Sequence, residues 1–591
     1  MRPKPASMRP LQTSLSRARL WYALLVFVFA VFVVRLFYLQ VIRHDYYQKT
    51  ALQGQLKEYS IPAERGIIEA HDGDEIIPIV LNEIRYTLFA DPKFIDDSKA
   101  AAQAVSQAIG GDVSDYEEKM RIDSRYSILA KKLSKDQKAQ IDKLELKGVG
   151  TRDEPIRTYP QGQLAAQVLG FVNDEGEGKY GVEQFLDEQL RGKAGELRAI
   201  TDAAGIPLVA SPDNVIKEPE NGERTVLTID IAMQRQLEVL LQKGLADARS
   251  KSGSAIILDP NSGAIKAMAN FPTYNPAEFN KVEDAAVFAN DSVSSPLEVG
   301  SIMKPLTAAA ALDQGVVSPT TSYYDPSFFT IDGATVSNIE EDGGAGTRNV
   351  GDILQLSLNT GAVWLLKQMG GGELNEQARR TWHTYMTDHY RFGQKTGIEQ
   401  GYEAEGFVPD PNEGFGLNIQ YANTSFGQGV STTPLQMAAA LAGTINGGTY
   451  YRPRLVDRFT SLDGRETVVQ PEVVGESVVS EEVSRQIRGL MESVVQRNHV
   501  LYGLPNLRPD YSIGGKTGTA EIARPEGGYY ADEFNGTFYG FVGGDMPEYV
   551  IMVRVDRPGI GGYAGSRAAA PIFSALATML IDTFEVVPRS N

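Results

Sequence analysis

Ser301-Ile302-Met303-Lys304 spells S-x-x-K, a pattern that occurs once in this chain. Residues three apart share one face of a helix, so the hydroxyl and the amine can meet. A serine hydroxyl is a weak nucleophile and needs a base to take its proton. A lysine amine is that base only when neutral, a state that burial and nearby positive charge both favour. Ser357-Leu358-Asn359 is the only S-x-N. From a loop, the Ser357 hydroxyl can relay a proton, and the Asn359 carboxamide, which donates and accepts, suits a peptide amide. Lys516-Thr517-Gly518-Thr519-Ala520 follows Tyr511-Ser512-Ile513-Gly514-Gly515 and reads as a strand. In a regular strand Lys516, Gly518 and Ala520 share one face, and Thr517 and Thr519 the other, though a bulge would change this. Gly518 lacks a side chain, so substrate or another backbone can approach closely.

Each pattern alone arises by chance in a long chain. The order S-x-x-K, S-x-N, K-T-G-T, with about 160 residues between the last two, is far more specific. Two look-alikes fall away. Gly515-Lys516-Thr517 resembles the end of a phosphate-binding loop, but Asp510 stands where that loop needs glycine. Lys395-Thr396-Gly397 continues Ile398-Glu399, without the Thr-Ala that follows Gly518, and reads as a turn in an acidic loop. The five histidines, His44, His71, His383, His389 and His499, form no metal-like pair. Spacing alone leaves a Ser-His-Asp arrangement open, but nothing marks any of them for it. With no cysteine, thiol nucleophiles, cysteine zinc sites and disulfides are excluded. No metal or cofactor is expected.

Several elements must carry these groups. At 591 residues the chain implies two or more folded domains. A formal net charge of -18 argues against a nucleic-acid-binding surface. Leu20 to Ile42 is apolar and about as long as a bilayer-spanning helix. Arg35 lies toward its far end, where a long side chain can reach the headgroups. Arg2, Lys4, Arg9, Arg17 and Arg19 precede it with no acidic residue, so the N-terminus is expected in the cytoplasm and the rest outside. A cleaved signal would need small residues after the core, but the chain runs on as Arg35-Leu36-Phe37-Tyr38-Leu39-Gln40.

The expected organisation is a cytoplasmic tail over 1–19, the membrane anchor over 20–42, a mixed α/β pedestal over 43–222 and a catalytic domain over 223–591. In the pedestal, Arg65 to Gly73 reads as a strand entering an Asp-Gly turn, and residues 97–145 suit amphipathic helices. Asp230 is placed to cap a helix from Ile231 to Leu245. Ala255–Leu258 and Ala264–Met268 read as a hairpin, Gly536–Val542 and Tyr549–Val555 as further strands, and Ala568–Phe584 as a last helix. Strands at both ends of the domain around a helical middle predict an α+β fold, one antiparallel sheet with helices packed on it.

With these motifs the sequence resembles the class B penicillin-binding proteins, from the membrane segment to the last helix. Further matches are Arg65-Gly66-Ile67-Ile68, Thr158-Tyr159-Pro160-Gln161-Gly162, Gly181-Val182-Glu183, Ser425-Phe426-Gly427-Gln428-Gly429 and Thr433-Pro434-Leu435-Gln436. Val168-Leu169-Gly170-Phe171-Val172-Asn173 matches as well, and its Gly-Phe-Val-Asn stretch with the glycine-rich run after it leans toward the division type rather than the elongation type. The chain departs from the family at Val299, where proline is common, and at the fillers Ile302-Met303.

The resemblance implies a transpeptidase fold of the penicillin-binding and serine β-lactamase type, and a peptidoglycan D,D-transpeptidase of septal wall synthesis. Ser301 would attack the carbonyl between the terminal D-alanines of a stem peptide, with Lys304 as base. Ser357 and Lys516 would pass a proton to the departing D-alanine, and Asn359 would hold the peptide. The N–H groups of Ser301 and Thr519 would hold the oxyanion. Thr517, Gly518 and Thr519 would line the substrate strand, the threonines binding its carboxylate. An amine from a second stem peptide would resolve the acyl-enzyme. β-Lactams would acylate Ser301. Residues 43–220 lack the pattern of a glycosyltransferase domain, so a SEDS-type polymerase and other divisome proteins are the implied partners, together with the membrane and no nucleic acid. The alternatives are a D,D-carboxypeptidase, a β-lactamase, or a non-catalytic scaffold or β-lactam-binding receptor.

Overall fold

The computed structural model describes residues 14–47, 56–200, 215–338, 344–461, 463–504, 508–524 and 527–590. Two compact units emerge: Met1–Ala63 with Lys193–Glu220, and Glu64–Gly192 with Asn221–Asn591. Residues 43–222 are therefore shared between them.

In the first unit a helix over Ser14–Phe37 runs into a wider π turn over Tyr38–Ile42. Arg17–Ile42 is long and apolar enough to cross a membrane, and none of it is buried. Arg2, Lys4 and Arg9 lie outside the described residues. A small antiparallel sheet pairs Leu56–Ile61 with Gly195–Ile200, and that strand with Val215–Lys217.

The second unit opens on the expected hairpin. Ile68–Asp72 pairs with Glu75–Ala90, Asp72 opposite Glu75, and Gly73 takes a φ of +61° in the turn. Over 97–145 the helices Ser98–Ile109, Val113–Met120 and Lys135–Asp142 are capped by Asp97, Asp112 and Ser134. Between them, however, Ser127–Leu133 is a strand on the edge of Glu75–Ala90. Burying Ser127, Leu129 and Leu133 against a small core of Leu88, Ala102, Val105 and Met120 outweighs the helical leaning of its lysines.

One sheet joins this region to the rest. Ile68–Asp72 pairs in parallel with Arg224–Asp230, which pairs antiparallel with Val456–Thr460. A buried charge cluster lies in the same region: Glu183, fully sealed from water, binds Arg65 Nη2 at 2.6 Å and Arg157 Nε at 2.7 Å. Buried charges persist only when paired in this way.

The K-T-G-T motif lies on a second, five-stranded sheet in the order Ile265–Phe271, Ser252–Leu258, Pro547–Asp556, Tyr529–Gly543, Ser512–Ala523. Every neighbouring pair is antiparallel, so strands from both ends of the catalytic segment meet, as expected. Asp230 caps the helix Ile231–Asp247 by accepting from Met233 N at 2.8 Å. That helix and the last one, Ala570–Thr583, pack together on the sheet, and Phe573 stacks on Phe538 at 4.2 Å between centroids. Pro434–Ile445, buried along its whole length, packs on Ser252–Leu258 and Pro547–Asp556. The result is the expected α+β fold, with Ser512–Ala523 at the open edge of its sheet.

Candidate active site

Ser301 lies in a 3₁₀ turn, Gly300–Met303, and Lys304 opens the helix Lys304–Asp313 that follows. The expected helix start is thus a 3₁₀-to-α junction, and it aims both groups at one point: Lys304 Nζ donates to Ser301 Oγ at 2.8 Å. Lys304 is completely buried, whereas Ser301 is half-buried. As a first-turn residue, Ser301 carries an N–H of the kind that has no acceptor within its own helix. The departure at Val299 is accommodated by packing: Val299 is buried, and its carbonyl accepts from Thr537 Oγ1 at 3.2 Å.

Ser357 sits between two helices, Val350–Gln355 and Asn359–Met369, with a φ of +57°. A non-glycine residue rarely adopts this left-handed conformation. Here it turns both oxygens of Ser357 toward Lys304, whose Nζ donates to the carbonyl and, at 3.2 Å, to Oγ. Asn359 is the first residue of its helix rather than part of a loop, and its Nδ2 donates to Ser337 O at 3.2 Å. Below it, the fully buried Asp325 accepts from Thr360 Oγ1 at 2.8 Å and Asn338 Nδ2 at 3.0 Å, which pins this helix start to a neighbouring hairpin.

Lys516 extends from the edge strand, its side chain buried, and donates to Ser357 Oγ at 2.9 Å. It also reaches Thr517 O at 3.0 Å and Thr517 Oγ1 at 3.4 Å. The strand alternates as a regular strand should, with Lys516, Gly518 and Ala520 buried and Thr517 and Thr519 half-exposed. A Cβ on Gly518 would fall 2.6 Å from Val299 O, so only glycine lets the turn carrying Ser301 come this close. Thr519 Oγ1 accepts from Gly565 N at 3.1 Å, which leaves its own hydrogen free to donate. Ser301, Lys304, Ser357 and Lys516 therefore form one continuous hydrogen-bonded chain around two serine hydroxyls, an arrangement able to move a proton from one hydroxyl through an amine to another.

The remaining candidates lie elsewhere. Thr396 N, Thr396 Oγ1 and Gly397 N all bind the Glu403 carboxylate, so the second K-T-G is a turn. His389 Nδ1 lies against the carbonyls of Ser477 and Val478, and His71 is 3.5 Å from Asp457.

Sequence reasoning gave no role to Glu298. Its carboxylate accepts from Gly429 N at 2.9 Å and from Tyr529 OH at 3.1 Å. Burial, with the nearby Glu521 carboxylate adding to it, pushes the Glu298 carboxyl above its ordinary value. An acidic residue three before Ser301 was the available signal, but its partners are 131 and 231 residues away.

Comparison with known proteins shows the family. Residues 253–578 match the penicillin binding protein transpeptidase domain, and residues 60–227 the penicillin-binding protein dimerisation domain. Stage V sporulation protein D of Bacillus subtilis is 31% identical, over 97% of this chain and 87% of that protein. The peptidoglycan D,D-transpeptidase FtsI of Escherichia coli K12 is 28% identical, over 94% and 89%. Among solved structures, penicillin binding protein 2X from Streptococcus thermophilus superposes with a TM-score of 0.73 at 21% identity, covering 89% of this chain and 81% of that one. Penicillin binding protein 3 from Mycobacterium tuberculosis, complexed with aztreonam, gives 0.68 at 25% identity, covering 90% and 98%. With a dimerisation domain ahead of a transpeptidase domain, the chain belongs to the class B penicillin-binding proteins, the D,D-transpeptidases of peptidoglycan.

Proposed function

We propose that this chain cross-links stem peptides through an acyl-enzyme on Ser301, in the wall built at the division septum. The observation that carries the reading is the 2.8 Å contact from the buried Lys304 amine to Ser301 Oγ. In its neutral form Lys304 takes the serine proton as Oγ attacks the penultimate D-alanine carbonyl. The backbone N–H groups of Ser301 and Thr519 receive the charge that develops on the carbonyl oxygen. Ser357, held by both lysines, passes a proton to the nitrogen of the terminal D-alanine, which leaves as the free amino acid. An acceptor amine then attacks the ester, releases Ser301 and forms the cross-link. Asn359 orients the peptide amide, and the hydroxyls of Thr517 and Thr519, with Lys516, hold the terminal carboxylate.

A β-lactam enters the same sequence, but its ring nitrogen stays tethered and blocks the acceptor. The aztreonam complex of the Mycobacterium tuberculosis relative supports this part of the reading. The septal role rests on the Gly170-Phe171-Val172-Asn173 stretch and on likeness to FtsI. The N-terminal helix anchors the protein in the cytoplasmic membrane, its basic flank inside and the catalytic unit outside. There it works beside a SEDS-type glycosyltransferase and other divisome proteins.

The test is a reaction of the full-length protein, in vesicles, with uncross-linked glycan bearing pentapeptide stems. Cross-linked dimers appearing with released D-alanine support transpeptidation. Release of D-alanine with trimmed monomers alone moves the function to a D,D-carboxypeptidase.

A further inference from the structure

The turn that carries Ser301 is held from a side the proton chain does not touch. Glu298 precedes the nucleophile by three residues and is half-buried. Its carboxylate gathers two donors from different parts of the fold: Gly429 N at 2.9 Å and Tyr529 OH at 3.1 Å to each oxygen. Gly429 belongs to the loop that also takes Gly300 N onto Gly427 O at 3.0 Å. Tyr529 starts the strand that pairs with the K-T-G-T strand, opposite Ala523. A second strut lies alongside, where Gln428 Nε2 donates to Glu521 Oε2 at 2.9 Å. Both groups meant to receive the oxyanion, Ser301 N–H and Thr519 N–H, are thus mounted on pieces of backbone that Glu298 and Glu521 brace against one loop.

We propose that Glu298 is a positioning residue for acylation, holding the Ser301 turn in register with the K-T-G-T strand through Gly429 and Tyr529. The inference rests on Ser301 as the nucleophile. Hydrogen bonds to a charged acceptor are stronger than neutral ones, so an ionised Glu298 is the form that braces the turn. Among the described residues, the titratable groups acting on it are Glu521 on the edge strand and Tyr529 on its neighbour, and the loop side presents Gln428 and the Gly429 backbone. Protonation removes the negative charge that both donors bind, so bracing is lost as the pH falls through the raised value of this carboxyl. Charge here works against stability. A carboxyl whose value rises on folding stabilises the fold less as it ionises, so a neutral replacement costs the fold little.

The experiment follows acylation of the full-length protein by a fluorescent penicillin from pH 5 to pH 8, with thermal midpoints measured alongside. Wild type, Glu298→Gln, Tyr529→Phe and the double variant are compared. The proposal expects acylation of Glu298→Gln to slow about tenfold at pH 7.5, with initial non-covalent binding unchanged. It expects the acidic limb that the raised carboxyl gives the wild type to vanish in this variant, and the midpoint to stay within about 2 °C of wild type. Tyr529→Phe should slow about threefold, and the double variant should be no slower than Glu298→Gln, because the two act as one unit. Wild-type acylation with an unaltered rate and limb in Glu298→Gln overturns the proposal alone. A rate that falls only as far as the melting temperature, with the acidic limb kept, also overturns it. A wild-type protein that forms no adduct on Ser301 overturns the nucleophile reading and this one together.

Discussion

Lys516 Nζ donates to Ser357 Oγ at 2.9 Å, although 159 residues separate the two in the chain. The same Oγ receives Lys304 Nζ at 3.2 Å, so one hydroxyl lies between the amine that binds Ser301 and the amine that extends from the edge strand. Both lysines are buried, and in that setting the proton count of the group is as important as its shape.

Removing either amine should therefore be costly in different ways. Lys304→Met is expected to slow acylation of Ser301 by about 10²–10⁴-fold, the usual range for a lost general base. Lys516→Arg should fail to restore the activity lost in Lys516→Ala, because a planar guanidinium cannot replace a compact ammonium in a closed site. Stopped-flow acylation by a fluorescent penicillin reads both. Restored activity in Lys516→Arg would argue that only charge matters there.

Close approach makes a second prediction. Gly427 has a φ of +88°, and a Cβ there would fall 2.1 Å from Gly300 O. Gly427→Ala should destabilise the fold by about 1–3 kcal/mol and displace the Ser301 turn, with a marked loss of acylation. Gly489 provides the contrast. It lies exposed on the helix Glu481–Asn498 with open space where a Cβ would go. Gly489→Ala should stabilise by up to about 1 kcal/mol and leave acylation intact. Denaturant unfolding beside the labelling assay checks the pair.

Outside the chain of Ser301, Lys304, Ser357 and Lys516, Glu183 binds two guanidiniums while completely buried. Glu183→Ala leaves Arg65 and Arg157 without the charge between them and should cost about 3–5 kcal/mol. Circular dichroism melts would report it as a large drop in the unfolding temperature, and a drop under 2 °C would show that water replaces the carboxylate.

The grouping of the candidate residues was legible because their types and spacing form short local patterns. Ser301 and Lys304 needed only three residues of spacing, and the alternation of Lys516, Gly518 and Ala520 against Thr517 and Thr519 followed from strand period alone. The antiparallel sheet with helices packed on it followed from strands at both ends of the domain. What could not be read depends on partners distant in the chain. The left-handed Ser357 and the helical start at Asn359 are set by packing against Lys304 and the Asp325–Thr360–Asn338 cluster. The strand Ser127–Leu133 reads as helix until Glu75–Ala90 offers it an edge. The parallel pairing of Ile68–Asp72 with Arg224–Asp230 has no local signal at all.

Half-buried Glu238 gives a pH-dependent prediction. It accepts from Ala165 N at 2.7 Å and Gln234 Nε2 at 2.9 Å, and burial raises its carboxyl above the ordinary value. A raised carboxyl holds its proton longer in the folded state, so stability falls as the pH rises from the unfolded value through the raised one. Glu238→Gln should therefore gain on wild type at pH 7.5 relative to pH 4.5, measured as thermal midpoints at one scan rate. A variant equally weakened at both values would mean that the hydrogen-bond geometry, and not the charge, governs this site.

The central claim is that Ser301 forms the covalent intermediate. Its most direct test is mass spectrometry of the full-length protein after exposure to a fluorescent penicillin, beside a Ser301→Ala control. The account predicts one adduct, mapped to the peptide containing Ser301 and absent from the control. An adduct on another residue, or equal labelling of the control, would contradict it.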